Sequence, residues 1–373
     1  MPRSAHALAE PAARAPRTTL RVVDVALWYG ERSGGIRTYL DAKVAHARQT
    51  GSFEHHVVVP GPRERHRDGR HELPSLRLVA ANGYRVPLGA RALGRTLKQL
   101  RPDVVLLHDP FWLPLHVTEK AHELGARVVA VHHGSAALDA AGMPGPPRLW
   151  EPLFRAWLRH AYAPVDAIAS VVDPRPDCGR PASFPLRLGL HGAFRPQPGL
   201  RRGDHVLYVG RLGREKGVFR LLEAAALADD PWPLVFVGSG PAEEALRRRT
   251  RSLRLGHRVS FRPYVRDRER LARAYAAARC VVMPGEHETF GLVALEAAAC
   301  GARVVACETA PSAALLGSLV HTYPAGDAAA LTSAIAAARA AERDLDAAAA
   351  LGWRFSWDRL FADELAHLRE LAA

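Results

Sequence analysis

The chain is poor in cysteine, methionine and aromatic residues: four Cys, three Met and 7% Phe, Trp and Tyr among 373 residues. Cys178, Cys280, Cys300 and Cys307 make no CxxC and no paired metal spacing. A disulfide framework and a zinc module are therefore excluded, and buried free thiols in a reducing compartment are expected. No apolar run approaches the length of a membrane-spanning helix. Residues 1–18 are rich in Ala, Pro and Arg and lack an apolar h-region, so a disordered tail is expected rather than a secretory signal. There is no GxxxxGK[ST], and no GxGxxG after the first strand with an acid about twenty residues on. Short-period repeats and recognisable nucleic-acid modules are also missing. These absences set aside a Walker-type NTPase, a Rossmann dehydrogenase, a solenoid and a nucleic-acid-binding protein.

What is present is a globular composition, 48% hydrophobic, in a chain long enough for two domains. The net charge is +13 and uneven. Residues 1–190 hold 26 Lys/Arg against 17 Asp/Glu, and residues 191–373 hold 25 against 21. The basic first half favours an anionic acceptor or peripheral contact with an anionic membrane. The expected location is the cytoplasm, with a peripheral place at the inner face of the membrane.

Strand and helix patterns alternate, which predicts α/β architecture with parallel sheets. In the first half the expected strands are Arg21–Leu27, Val57–Val59, Asp103–Leu107 and Arg127–Val131, with a helix from Ile36 and a loop over Ala137–Pro147. In the second half they are His205–Val209, Leu234–Val237, Arg258–Phe261, Cys280–Met283 and Arg303–Ala306. Helices are expected at Val218–Ala228, after Gly238-Ser239-Gly240-Pro241, at Ala294–Cys300, through the Ala-rich 324–350 and at Phe355–Leu371. Residues 173–200 are rich in Pro and Gly and read as a linker. The resulting domains are a tail at 1–18, an acceptor-side domain at 19–198, a donor-binding domain at 199–352, and a C-terminal helix at 353–373 packing back toward the first. Doubly wound domains bind ligands at the C-terminal ends of their strands, and two such domains are expected to face a cleft.

The richest stretch is Glu288-Thr289-Phe290-Gly291-Leu292-Val293-Ala294-Leu295-Glu296. Its first carboxylate follows a strand and its second lies more than a turn inside the next helix. The amides of Phe290, Gly291 and Leu292 fall at the helix N-terminus, where an anion is favoured. Phosphate-binding amides and two acceptors for sugar hydroxyls thus share one segment. The loop Gly210-Arg211-Leu212-Gly213-Arg214-Glu215-Lys216-Gly217 also joins a strand to a helix, and Arg211 and Lys216 there can neutralise a diphosphate. Gly34-Gly35 would let amides approach a phosphate closely. His108-Asp109 and His132-His133 end two apolar strands. Glu286, His287 and Glu288 are consecutive and converge poorly on one ion. Asp344 and Asp346 point apart on a helix. No metal site is expected.

Taken together these segments resemble the retaining glycosyltransferases of glycosyltransferase family four, which have the GT-B fold. Tyr208-Val209-Gly210-Arg211-Leu212 through Glu215-Lys216-Gly217 is similar to that family's diphosphate loop. Glu288 through Glu296, continuing to Cys300-Gly301, is similar to its E-x7-E segment. Ser33-Gly34-Gly35, Gly238-Ser239-Gly240-Pro241, Phe194-Arg195-Pro196 and Phe355-Ser356-Trp357 add to the likeness. The resemblance implies that Arg211 and Lys216 hold the donor diphosphate and that Glu296 accepts from the nucleotide ribose. Glu288 would bind sugar hydroxyls, with amides of Thr289 to Leu292 on the sugar and phosphate. Gly34, Gly35 and Gly238 would lie by the donor, Tyr264 and Val265 at the base, and His132 beside the reacting sugar. His108, Asp109 and His133 would serve the acceptor side. Two positions depart from the family: Arg262-Pro263 replaces a usual Gly, and Gly189-Leu190-His191 replaces Gly-Val-Asp.

The activity implied is metal-independent, cofactor-free transfer of a hexosyl unit, with retention, from a UDP- or GDP-sugar to a hydroxyl on a glycan, lipid or polyol. A nucleotide-sugar epimerase on the same fold and a non-catalytic nucleotide-sugar binding protein are the alternatives.

Overall fold

The computed structural model describes residues 19–27, 29, 35–77, 85–134, 136–141, 143, 145–171, 182–286, 288 and 290–373. They fall into two compact units. One runs to Leu186 and resumes over Phe361–Ala373; the other is Arg187–Leu360.

In the first unit the order is β1 (Arg21–Val25), α1 (Gly35–Thr50), β2 (Glu54–Gly61), β3 (Arg65–Arg67), β4 (Arg70–Arg77) and β5 (Arg85–Pro87). Then come α2 (Ala90–Leu100), β6 (Val104–Leu107), α3 (Pro114–Glu123), β7 (Arg127–His132), α4 (Ala136–Ala141), α5 (Pro147–Tyr162), β8 (Ala167–Ser170) and β9 (Ala182–Pro185). The sheet runs β3-β4-β2-β1-β6-β7-β8-β9, with β5 beside β4. It is parallel except where β4 meets β3 and β5. Strands such as Val104-Val105-Leu106-Leu107 are apolar on both faces because helices cover both. Strand order reverses between β1 and β6, where Val25 stands beside Leu107. The loops after these two strands therefore part and leave an opening at the sheet edge.

In the second unit the order is β10 (Val206–Val209), α6 (Val218–Leu227), β11 (Leu234–Val237), α7 (Glu243–Ser252), β12 (Val259–Arg262), α8 (Arg268–Ala277) and β13 (Cys280–Met283). It continues with α9 (Leu292–Ala299), β14 (Arg303–Cys307), α10 (Pro311–Leu316), β15 (Val320–Tyr323), α11 (Ala328–Ala340) and α12 (Leu345–Arg354). The sheet is wholly parallel, in the order β12-β11-β10-β13-β14-β15. Numbered within the unit this is 3-2-1-4-5-6, the Rossmann order, with its switch point between β10 and β13. The core packs Val206, Tyr208, Leu234, Phe236, Cys280 and Val282 against Leu221, Leu222 and Ile335. The last helix, α13 (Trp357–Ala372), buries Phe361, Leu365 and Leu368.

Several expectations move. The boundary between units lies at Leu186, not 198, because β9 extends the first sheet while Leu190 pairs with Ser356 of the second unit. Ala137–Pro147 is not all loop: its Ala run favours helix and forms part of α4, and Pro147 opens α5. The Ala-rich 324–350 breaks in two at Asp344, whose carboxylate caps α12 by accepting from Ala347 N at 2.9 Å. Asp344 and Asp346 are thus a helix start and its first turn. Strands β3 to β5, β8, β9 and β15, and helices α2, α3, α8 and α10, lie beyond the sequence-based expectation. Cys280, Cys300 and Cys307 are buried free thiols, and burial pushes the thiols of Cys280 and Cys300 up to about 12. Cys178 lies outside the described residues.

Candidate active site

Three loops leave the C-terminal ends of β11, β10 and β13 and are stitched together by backbone. Gly210 N donates to Val237 O at 3.0 Å, Leu212 N to Ser239 O at 3.0 Å, and Ala242 N to Leu212 O at 2.9 Å. The Tyr208 hydroxyl donates to Arg211 O at 2.8 Å. Two glycines make this density possible. A Cβ on Gly238 (φ +142°) would sit 2.0 Å from Gly210 O, and one on Gly217 (φ +68°) would sit 2.1 Å from Pro284 O. Both residues combine a positive φ with backbone contact that no side chain can share. The loop after β13 is fixed from its far side by the Tyr323 hydroxyl on Pro284 O at 2.8 Å and by Thr309 on Glu286 O at 2.8 Å. Glu286 pairs with Arg220 and accepts from Gly326 N.

This scaffold brings Lys216 and Glu288 together across the switch point, Nζ 2.8 Å from Oε1. Glu288 is largely buried and Lys216 mostly so. Next to them Phe290, Gly291 and Leu292 start α9, so their amides face the strand ends with the positive end of the helix dipole. Arg211 is half exposed and reaches Glu215, four residues on, at 2.7 Å. Inside α9, Glu296 Oε2 accepts from the Tyr275 hydroxyl at 2.9 Å. Burial raises its carboxyl to about 7, although Tyr275 and Arg268 pull the other way. Tyr264 is 68% exposed and Val265 half-buried, both just past β12 on the same edge of the sheet. Thr289 and Gly34 lie outside the described residues, as does His287. Gly35 opens α1 in the first unit.

The histidines of the first unit separate by the alternation of a strand end. His132 is buried, with Nδ1 3.3 Å from the Tyr162 hydroxyl, and burial lowers it to about 4. That places it in the core. His133 is half-buried instead, its Nε2 2.7 Å from His108 Nδ1. His108 Nε2 in turn lies 2.6 Å from Asp24 Oδ1. Asp109 accepts from Phe111 N at 2.8 Å, which shapes the turn after β6. Asp24, with Lys43 and Glu364 behind it, is a functional candidate that sequence reasoning misses. It is a charged residue in an otherwise apolar strand, Arg-Val-Val-Asp-Val, and that is the available signal.

The chain resembles known proteins along nearly its whole length. Residues 33–173 match the family model described as "Glycosyltransferase Family 4", and residues 194–345 match "Glycosyl transferases group 1". A GDP-mannose-dependent alpha-(1-6)-phosphatidylinositol dimannoside mannosyltransferase of Mycobacterium tuberculosis is 32% identical over 314 residues, 78% of this chain and 80% of that one. This chain belongs to the family four, group 1 glycosyltransferases. A D-inositol 3-phosphate glycosyltransferase of Frankia alni is 41% identical over a shorter span, 38% of this chain and 36% of that one. Among solved structures, sucrose-phosphate synthase of Thermosynechococcus elongatus has a TM-score of 0.72 at 20% identity, covering 94% of this chain and 99% of that one. Anabaena HepE in complex with UDP has a TM-score of 0.72 at 15% identity, covering 94% and 100%. At such identities the likeness is one of fold, the two Rossmann-like domains of GT-B. The glycosyltransferase thus carries the Lys216–Glu288 pair and the α9 amides on the second of these units. No helix among its described residues is long and apolar enough to cross a membrane.

Proposed function

We propose that this glycosyltransferase moves a hexosyl unit from a nucleotide-diphosphate sugar to a hydroxyl acceptor, with retention at the anomeric carbon and without a metal ion. The carrying observation is the Lys216–Glu288 pair at 2.8 Å beside the N-terminus of α9. A cation and helix amides suit a diphosphate, and a carboxylate within reach of both suits the hydroxyls of the sugar attached to it. Arg211 adds a second cation, Glu296 takes the ribose hydroxyls, and Tyr264 and Val265 flank the base. The proposed donor is GDP-mannose, a choice supported by the name of the mycobacterial relative that spans most of this chain.

In the reaction the bond from the anomeric carbon to the diphosphate oxygen breaks and the acceptor oxygen bonds on the same face. The acceptor's proton passes to the leaving phosphate oxygen. Lys216, Arg211 and the amides of α9 stabilise the charge that grows on the diphosphate. These fixed cations and dipoles take the part that a metal would otherwise play.

The acceptor side is assigned to the first unit, with a peripheral seat on anionic membrane. Helix α5 supports that seat, with Leu149 and Leu153 more than 60% exposed at i, i+4 and Trp157 one further turn along the same face. Arg148, Arg155 and Arg159 are exposed on the same helix. A thermal-shift panel of GDP-, UDP- and ADP-sugars tests the donor reading, since a ligand bound to the folded state raises its apparent stability. GDP-mannose should give the largest shift, and Lys216→Ala and Glu296→Ala should abolish it. Full response in both variants would overturn the site.

A further inference from the structure

The hairpin of β3 and β4 in the first unit has two unlike faces. Its turn, Asp68-Gly69, has positive φ at both positions, the geometry that suits the twist of a two-residue hairpin. The antiparallel register sets Arg65 opposite Glu72, His66 opposite His71 and Arg67 opposite Arg70. Side chains alternate along a strand, so the histidines fall on one face and the other pairs on the opposite one. On the histidine face, His66 Nδ1 lies 2.8 Å from His71 Nδ1, and His71 Nε2 lies 3.1 Å from His56 Nδ1 on β2. These contacts fasten the hairpin to the sheet.

On the other face the hairpin and α1 line a groove of about 400 Å³, within the range of small-ligand sites. Leu40, Val44 and Val57 supply its apolar lining, and Arg48, Arg65, Arg67 and Arg70 its cations. Arg70 is held by the buried Tyr29: its guanidinium lies 4.7 Å from the ring centroid, and Nη1 donates to the hydroxyl at 3.0 Å. Arg48 reaches from α1 to the hairpin turn and donates to Asp68 O. The charges in the groove do not cancel. Asp41 pairs with Arg37 at 3.4 Å, Asp68 with Arg67 at 3.3 Å and Glu72 with Arg70 at 3.4 Å. Among the described residues no carboxylate pairs with Arg48 or Arg65. A guanidinium stays charged, so two positive charges are left over. Arginines on an edge strand also guard it against pairing with another chain. Such a guard needs no groove, no arginine on the facing helix and no guanidinium fixed on a buried tyrosine.

We propose that this groove binds a phosphate monoester of a sugar or polyol, with Arg48 and Arg65 neutralising the phosphate. Such a phosphate carries about −1.5 to −2 charges at pH 7, which matches the two guanidiniums that lack a carboxylate. The planar forks of arginine suit its oxygens. Asp41 and Glu72 line the same groove and accept from the hydroxyls of the polyol. A phosphate diester carries one charge and matches less well. The monoester arrives either in solution or as the headgroup of a lipid such as phosphatidic acid. The groove belongs wholly to the first unit and the proposed donor groups to the second, so this site does not rest on the glycosyl-transfer reading.

Isothermal titration of the full-length chain with glycerol 3-phosphate tests the site. Wild type should bind it, and Arg65→Gln should weaken binding about 10- to 100-fold, the range for a hydrogen bond to a charged group. Arg48→Gln should repeat that loss from the α1 side, and Lys216→Ala should leave binding intact. In wild type, glycerophosphoglycerol, a diester, should bind more weakly than the monoester, a comparison that needs no variant to fold. Three results overturn the groove: no binding by wild type, equal affinity for monoester and diester, or loss in Lys216→Ala with none in Arg65→Gln. The last of these assigns the phosphate to the donor loops instead. Conversely, absence of a thermal shift with GDP-mannose sinks the donor reading and leaves this titration standing. Vesicles separate the two sources of ligand. An Arg65-dependent preference for phosphatidic acid over phosphatidylglycerol, at matched vesicle charge, marks a lipid headgroup. Binding of glycerol 3-phosphate without that preference marks a soluble ester.

Discussion

The Tyr275 hydroxyl donates to Glu296 Oε2 at 2.9 Å, and together they set how donor binding should depend on pH. Burial raises the Glu296 carboxyl from its ordinary 4.5 to about 7, against the pull of Tyr275 and Arg268. Between those values the folded chain binds a proton that the unfolded chain does not, so stability from this group falls as pH rises through about 7. Ribose hydroxyls donate best to the ionised form. Donor affinity should therefore rise about 10-fold between roughly pH 6 and pH 8 and then level off. Isothermal titration across that range checks it, and Glu296→Gln should flatten the profile.

The Lys216–Glu288 pair makes a second, separable prediction. Removing a preorganised charge aimed at the leaving group costs on the order of 10²- to 10³-fold in kcat. Lys216→Ala should fall in that range, and Glu288→Gln should fall with it. The double variant should lose less than the product of the two, because residues in direct contact are coupled. Fully additive losses would mean that the two side chains act independently.

How much of this is legible in the sequence follows from where the signal lies. Both donor segments can be placed because each couples an apolar strand to a glycine-bounded turn, and Cys280–Met283 and Leu234–Val237 fall where expected. The partnership of Lys216 with Glu288, 72 residues apart, cannot be read locally. It arises from strand order, which sets β10 beside β13. His132 and His133 are indistinguishable as letters, and only the end of β7 buries one against Tyr162 and leaves the other half-buried against His108. Asp24 is visible as a charge in a strand, but its partners on α1, on β2 and just past β6, and Glu364 on α13 behind them, come from four distant parts of the chain. β3 and β5 are only three residues long, and β4, Arg-His-Glu-Leu-Pro-Ser-Leu-Arg, mixes charged and polar residues with a proline, so tertiary pairing defines all three.

Backbone contact at Gly217 yields the third prediction. Alanine there must hold φ +68° and place Cβ 2.1 Å from Pro284 O. The loops after β10 and β13 have to separate, and strain of about 1–3 kcal/mol is expected from the conformation alone. Gly217→Ala should lower the melting temperature and weaken donor binding together. Gly256 has open space for 4 Å around the place a Cβ would take, and no positive φ. It should tolerate alanine with neither effect.

Buried charge in the first unit gives the fourth. Lys43 lies between Asp24 and Glu364, and Lys43→Met leaves two carboxylates facing each other without a cation. Breaking such a buried group costs about 3–5 kcal/mol, which corresponds to a loss of roughly 10 °C in melting temperature. Replacing all three by Asp24→Asn, Lys43→Met and Glu364→Gln should cost less than Lys43→Met alone. The Asp24 carboxyl is held below its ordinary 3.8, so its contribution is complete above that pH and is lost as pH falls through the depressed value. Acid titration of unfolding should show this loss in wild type and not in the triple variant.

Helix α5 supplies the last. Leu149, Leu153 and Trp157 recur every fourth residue and present apolar surface that the first unit does not cover. Exposed Arg148, Arg155 and Arg159 give the same helix a positive charge. Apolar side chains inserted at the headgroup boundary, with arginines drawn to anionic lipid, bind through two additive terms. Flotation with phosphatidylserine vesicles should recover the wild-type protein at low salt, and rising salt should reduce recovery by screening the arginines. Leu149→Asp with Leu153→Asp should abolish flotation, since each carboxylate both removes apolar area and repels the surface. The GDP-mannose thermal shift should survive in that variant, because both leucines belong to the first unit and the proposed donor groups to the second. Undiminished flotation of the double variant would place membrane contact elsewhere on the basic first unit.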